Sequence, residues 1–228
     1  MRKLTSYFTK GEMILWGMSA GLILLSFLAF DRENYMTLTA SLVGVTSLIF
    51  SAKGNPIGQA LMILFSLLYG LISYTCAYYG EMITYLGMTM PMALFSLIAW
   101  LRNPYAGNRA EVAVNRLKPW EVRWMLLLTA AVTGVFYFIL VWCGTANIIP
   151  STLSVTTSFL AVYLTFRRSP YFALAYAAND VVLLVLWAMV SMENSTYISV
   201  LICFAMFLVN DLYGYVNWKR MEKKQAQA

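Results

Sequence analysis

Residues 36–81 read MTLTASLVGVTSLIFSAKGNPIGQALMILFSLLYGLISYTCAYYGE. Two apolar runs, Met36 to Ala52 and Ile57 to Tyr79, flank the short turn Lys53-Gly54-Asn55-Pro56, and Gly80-Glu81 closes the second run. A helix needs ~17–25 largely apolar residues to cross a bilayer core. Lysine, glycine and proline at the turn stop one helix and start the next. The stretch predicts a hairpin of two transmembrane helices whose turn is basic and whose far end is acidic.

The same grammar recurs on both sides. Apolar runs are found at Met13 to Phe30, Met82 to Leu101, Trp124 to Cys143, Ile148 to Phe166, Tyr171 to Met192 and Thr196 to Trp218. With the opening pair they make eight spans. The first has no small-residue cleavage site and is long enough to cross, so it reads as a retained span. The only long polar stretch, Arg102 to Lys118, reads as a plain linker.

Composition agrees. Of 228 residues, 61% are hydrophobic and 11% charged, against about a quarter charged in ordinary soluble chains. That much apolar surface needs lipid to cover it. The net charge of +6 would suggest nucleic acid, but its distribution removes that reading. Eight spans place both termini on one side. If that side is the cytoplasm, every basic residue except Arg32 lies inside, while Asp31, Glu33, Glu81 and Glu193 lie outside.

Histidine is absent, which excludes a Ser-His or Cys-His nucleophile pair and the usual imidazole metal site. Cys76, Cys143 and Cys203 stand far apart in apolar runs and read as packing residues, with neither metal-ligand spacing nor a disulfide framework. No cofactor or metal is expected. Tyr78, Tyr79, Trp100, Trp120 and Trp218, near span ends, read as interfacial anchors.

Spans two and three resemble spans six and seven. Aligning Pro56 with Pro170 sets Gly44, Ser47 and Ser51 against Ser158, Ala161 and Thr165. Both rows are stripes of small residues at helical spacing, which let backbones approach closely. The expected fold is an all-α integral membrane protein of eight transmembrane helices. It has one extra N-terminal helix followed by three, one and three, a SWEET-like 3+1+3 arrangement of parallel triple-helix repeats. The expected organisation is an N-terminal transmembrane helix in 1–35, a first bundle in 36–101, and a cytoplasmic linker with a linker helix in 102–147. A second bundle in 148–218 and a basic cytoplasmic tail in 219–228 complete it.

A charge at membrane depth costs ~2.5–3.5 kcal/mol or more and points to function. Asp180 lies about ten residues past Pro170, hence ~15 Å up its helix and near the midplane. Tyr176, Asp180 and Trp187 share a face there, with Asn179 beside them. Asp211, Asn210 and Tyr213 mark a second polar stripe in the last span; Gln59, Ser66, Tyr69 and Ser73 mark a weaker one in the third. The proline alignment sets Ser66 against Asp180 and Ser73 against Trp187. A midplane carboxylate beside an aromatic ring suits a ligand with a cationic aromatic ring. Alternative readings are a proton-coupled carrier using Asp180 or Asp211 and an intramembrane aspartyl protease, whose Gly-x-Gly-Asp signature is absent. A purely structural subunit is the remaining one.

On Lys53-Gly54-Asn55-Pro56, Tyr79-Gly80-Glu81, Asn179 and Asn210-x-x-Tyr213-Gly214-x-x-x-Trp218, the chain resembles the nicotinamide riboside (Pnu-type) vitamin transporters from about Thr37 to Trp218. The resemblance implies a bacterial inner-membrane protein, often a homotrimer, that holds a nucleoside-like vitamin midway between two triple-helix bundles. It implies uptake by facilitated diffusion, with cytoplasmic phosphorylation trapping the product; relatives pass thiamine or deoxyribonucleosides. The implied partners are that solute and membrane lipids. The lack of a Walker A motif agrees, since nothing here could hydrolyse ATP. Two features depart from the family pattern: Leu64-Phe65-Ser66 where members often carry asparagine, and the acidic Asp180 directly after Asn179.

Overall fold

The computed structural model describes residues 7–75, 79–145 and 147–227; Arg2, Lys3, Cys76 and Tyr78 lie outside them. Eight helices are long and apolar enough to cross a membrane: α1 Lys10–Phe30, α2 Tyr35–Ala52, α3 Ile57–Thr75, α4 Tyr79–Arg102, α5 Pro119–Trp142, α6 Ile148–Phe166, α7 Tyr171–Glu193 and α8 Ile198–Gln227. They match the expected spans to within a few residues, with three instructive differences.

α1 starts early because Thr9 caps it. The Thr9 hydroxyl accepts from Glu12 N at 3.2 Å while Glu12 Oε2 accepts from Thr9 N at 2.7 Å, a reciprocal box that satisfies two otherwise orphaned donors. α5 starts at Pro119, a residue suited to a first helical turn where its missing N–H goes unneeded. α8 continues through the basic tail to Gln227. Bilayer thickness ends the apolar run at Trp218, but the following Lys, Arg, Met, Glu and Gln residues are good helix formers and extend it into solvent.

The turns after α2 and α6 have the same geometry. Gly54 (φ +66°) and Arg168 (φ +57°) both take the left-handed conformation. Gly54 N donates to Ser51 O at 2.9 Å and Asn55 N to Phe50 O at 3.0 Å. Arg168 N donates to Thr165 O at 2.9 Å and Ser169 N to Leu164 O at 3.0 Å. These bonds close the last helical carbonyls, as αL caps do. Packing follows the same symmetry: α2 lies between α3 and α8, and α6 between α7 and α4. At this basic end, Trp100 of α4 donates to Thr165 O at 2.9 Å and Trp218 of α8 to Ser51 O at 2.8 Å. The two indoles are fully buried, with ring centroids 5.4 Å apart.

The segment after α4 is not a plain linker. It forms a small antiparallel hairpin, β1 (Pro104–Tyr105) with β2 (Asn108–Val112). The hairpin then straps both turns: Val112 N donates to Gly54 O at 3.0 Å and Asn115 N to Arg168 O at 3.0 Å. Val112 is fully buried. Helix α1 packs outside α2 and α8, and α5 packs on α6. α5 has the smallest buried share of the spans, 17%, and exposes Leu126, Leu127, Val135 and Phe138. Such a surface is stable only against lipid or another apolar surface.

Candidate functional site

The centre of the bundle is polar and closed. Asp180 of α7 and Asp211 of α8, 3% and 4% exposed, bring their carboxyl groups into hydrogen-bonding contact. Asp180 Oδ2 meets no donor, and neither does the Ser66 hydroxyl on α3. Buried polar atoms are nearly always satisfied in folded proteins, so each unsatisfied one calls for an explanation, and a bound ligand or water would supply it here. Tyr176 is within electrostatic range of both carboxyls and is hydrogen-bonded to Thr165. Cys203 of α8 is within electrostatic range of Asp180 and is hydrogen-bonded to Ser41 of α2.

Toward the acidic end this centre is walled by aromatic rings. Tyr69 and Tyr85 stand 4.5 Å apart between ring centroids, and Phe65 lies 5.6 Å from Tyr69 and 5.6 Å from Phe207. Phe204 completes the wall, 6.1 Å from Tyr69. Trp187 contacts the Tyr69 hydroxyl and stacks on Tyr197 at 5.5 Å. Close approach is essential on α2: a Cβ on Gly44 would lie 2.3 Å from the Phe207 ring and 3.1 Å from Phe65.

Tyr85 owes its place to a local defect in α4. Residues Thr84–Thr89 form a π-helical turn in which Met90 N donates to Tyr85 O, five residues back. Pro91 follows directly and has no N–H to continue the regular ladder. Such turns recur at functional sites because they re-aim a side chain. Beyond Trp187 a cavity of about 610 Å³ opens at the acidic end. Tyr79, Gly80 and Glu81 of α4, the α5–α6 connection, and Trp187 and Glu193 of α7 line it. In the opposite direction the centre is sealed by Phe172, Trp100 and Trp218, whose rings pack edge to face.

The structure sorts the expected site residues into two groups. Tyr69, Tyr176, Asp180 and Trp187 gather toward the centre, and Ser66 and Ser73 are buried on the same helix as Tyr69. The others are engaged elsewhere. Asn179 turns to α6, its Oδ1 accepting from Ser154, Thr157 and Ser158 at 3.2, 2.9 and 3.1 Å. Asn210 donates to Ser19 of α1 at 2.9 Å and the Tyr213 hydroxyl to Glu12 at 2.9 Å. Gln59 donates to Ser51 of α2 at 3.3 Å. These four tie helices together. Phe65, Tyr85, Phe204 and Phe207 are walls that the sequence reading did not single out, because aromatic residues are abundant in every span.

Eight spans around a closed, aromatic-walled polar centre, with a cavity leading in from one face, define a multi-pass membrane transporter. The chain belongs to the nicotinamide mononucleotide transporter family, which it matches over residues 34–220. It is 28% identical over 202 residues to the nicotinamide riboside transporter PnuC of Neisseria mucosa, covering 86% of this chain and 76% of that one. It is 21% identical over 195 residues to the Haemophilus influenzae nicotinamide riboside transporter PnuC, covering 84% and 82%. The crystal structure of the vitamin B3 transporter PnuC shares the fold, with a TM-score of 0.85 at 24% identity over 98% of this chain and 97% of that one.

Proposed function

We propose that this protein takes up nicotinamide riboside by facilitated diffusion across a bacterial inner membrane, with both termini in the cytoplasm. Phosphorylation of the solute inside the cell then traps it. The observation that carries this reading is the aromatic wall of Phe65, Tyr69, Tyr85 and Trp187 above the Asp180–Asp211 carboxyls. A ribosylated pyridine has a flat ring with a fixed positive charge, and ring faces and buried acids both attract such a group. The names of the related transporters support the same solute.

In this reading α2–α4 and α6–α8 are two SWEET-like triple-helix repeats joined by α5. The matching turns at Gly54 and Arg168 and the reciprocal Trp100 and Trp218 bonds support it. Rocking of one unit against the other exposes the centre alternately to each side. The exposed face of α5 is where copies of the chain meet in a homotrimer. With the basic end inside, the cavity above Trp187 is the outward vestibule and the Trp100–Trp218 contact is the closed inner seal.

The sister reading, a carrier of thiamine or a deoxyribonucleoside, is favoured only by the departures at Ser66 and Asp180. Uptake of labelled nicotinamide riboside into proteoliposomes, with unlabelled thiamine and deoxyribonucleosides as competitors, separates the two. Saturable nicotinamide riboside uptake that resists both competitors is expected. Uptake of a competitor alone would move the chain to the sister specificity.

A further inference from the structure

The apolar groove on α5 and α6 has nothing on it to name its occupant, and the vestibule above Trp187 belongs to the solute path already described. A further cavity, of about 460 Å³, lies at the basic end, within the ~300–1,000 Å³ typical of small-molecule sites. Lys53 of the α2–α3 turn, Asn108 and Glu111 of β2, and Asn217, Arg220 and Lys224 of α8 line it. Its walls come from three separate parts of the chain, and the solute path uses none of these residues.

The cavity keeps positive charge after its own carboxylates are counted. Lys53 Nζ gives bonds to Glu12 at 3.0 and 3.1 Å, and an ammonium has a third N–H to give. Lys224 lies 4.0 Å from Glu111, the outer limit of an ion pair, and Glu111 also accepts from Gln225 at 3.0 Å. Arg220 is exposed and pairs with no carboxylate among the described residues. Asn108 Oδ1 accepts from Ala110 N at 3.0 Å, which leaves its amide nitrogen to donate. With Glu12 set against Lys53 and Glu111 against Lys224, the Arg220 guanidinium is left over. Its planar fork of donors matches the oxygens of a phosphate.

From this juxtaposition we infer that the cavity binds the phosphate of a phosphate monoester, the phosphorylated solute, from the cytoplasm and thereby holds the inner seal shut. The inference rests on the orientation and the solute reading above. Trp218, the α8 residue of the seal, lies between Asn217 and Arg220 and donates to Ser51 O at 2.8 Å, two residues before Lys53. Asn217 donates to Ala52 O at 2.8 Å. In the rocking motion proposed above, inward opening draws α8 away from the α2–α3 turn, and so Arg220 away from Lys53. A phosphate held by both, with Asn108 of the hairpin, loses contacts in that movement and favours the closed state. The unphosphorylated solute brings a positive ring and no anion, so the same charge repels it. Product that accumulates inside slows further entry without occupying the central site.

The test is calorimetric titration of the purified full chain with nicotinamide mononucleotide, first alone and then with the central site saturated by nicotinamide riboside. Saturable binding that persists at saturation is expected. It should weaken about tenfold in Arg220→Gln, the loss of one charge-assisted contact, while nicotinamide riboside affinity stays the same. In proteoliposomes, the mononucleotide on both faces should slow wild-type uptake of labelled nicotinamide riboside several-fold and leave Arg220→Gln uptake untouched. Competition of the two ligands for one site, or equal inhibition of both proteins, would overturn the inference and leave the solute reading intact. A further arm adds phosphatidylglycerol to the detergent-purified protein. Thermal stabilisation by this lipid that is lost in Arg220→Gln, with no binding of the mononucleotide, would assign the cavity to a lipid headgroup and overturn the regulation. If nicotinamide riboside fails to bind while the mononucleotide still binds through Arg220, the cavity stands and the solute reading falls. Binding of neither overturns both.

Discussion

The basic end and the midplane of the central bundle are built differently. At the basic end most polar groups find partners, Asn115 Nδ2 and Arg167 Nε apart. Glu12 takes Lys53 and Tyr213, Glu121 takes Arg167, and the two indoles take helix-terminal carbonyls of the facing unit. At the midplane Asp180 and Asp211 pair with each other and with no cation, and Ser66 Oγ and Asp180 Oδ2 meet no donor. A buried polar group without a partner costs ~1–3 kcal/mol. The difference teaches that the basic end is held by paired groups, while the centre keeps polar atoms unpaired.

That contrast can be broken most severely at Trp187. Replacing it with alanine removes the ring between the vestibule and the centre. A desolvated cation–ring contact contributes about 2 kcal/mol or more, so affinity for nicotinamide riboside should fall about thirtyfold in a calorimetric titration. Trp218→Phe should do the reverse. It removes one of the donors to the Ser51 carbonyl, which keeps Gly54 N, and leaves space in a fully buried site, so unfolding stability should fall by ~1–3 kcal/mol with binding unchanged. Gly54→Ala places a side chain at φ +66° and 2.7 Å from the Met221 methyl. It should destabilise by ~1–2 kcal/mol in thermal denaturation, again without touching affinity. Tyr213→Phe is the mildest. Glu12 keeps Lys53 and its cap, so a stability loss below ~1 kcal/mol and unchanged uptake are expected.

Most of the fold was legible in the sequence, because a bilayer imposes a length on apolar runs and every run here ends at glycine, proline or charge. What escaped lay outside the bilayer's control. The extension of α8 to Gln227 follows helix propensity, and the hairpin at 104–112 follows contacts with Gly54 and Arg168 from distant parts of the chain. The site was legible only in part, for a different reason. Asp180 announced itself because charge at depth is rare. Asn179, Asn210, Tyr213 and Gln59 were equally visible as polar residues at depth, but a stripe on one helix does not say which neighbour that face meets. α6 claims Asn179, α1 claims Asn210 and Tyr213, and α2 claims Gln59. Tyr85 depends on the π-helical turn before Pro91, and no single residue signals that turn.

The most direct test of the central claim is the tryptophan emission of the purified protein during titration with nicotinamide riboside. A pyridinium ring stacked against an indole quenches it, so the account predicts saturable quenching in the wild type. It also predicts loss of the saturable component in Trp187→Phe, which keeps an aromatic ring there. Equal quenching in both proteins, or none in the wild type at concentrations that saturate uptake, would contradict a ligand site at Trp187.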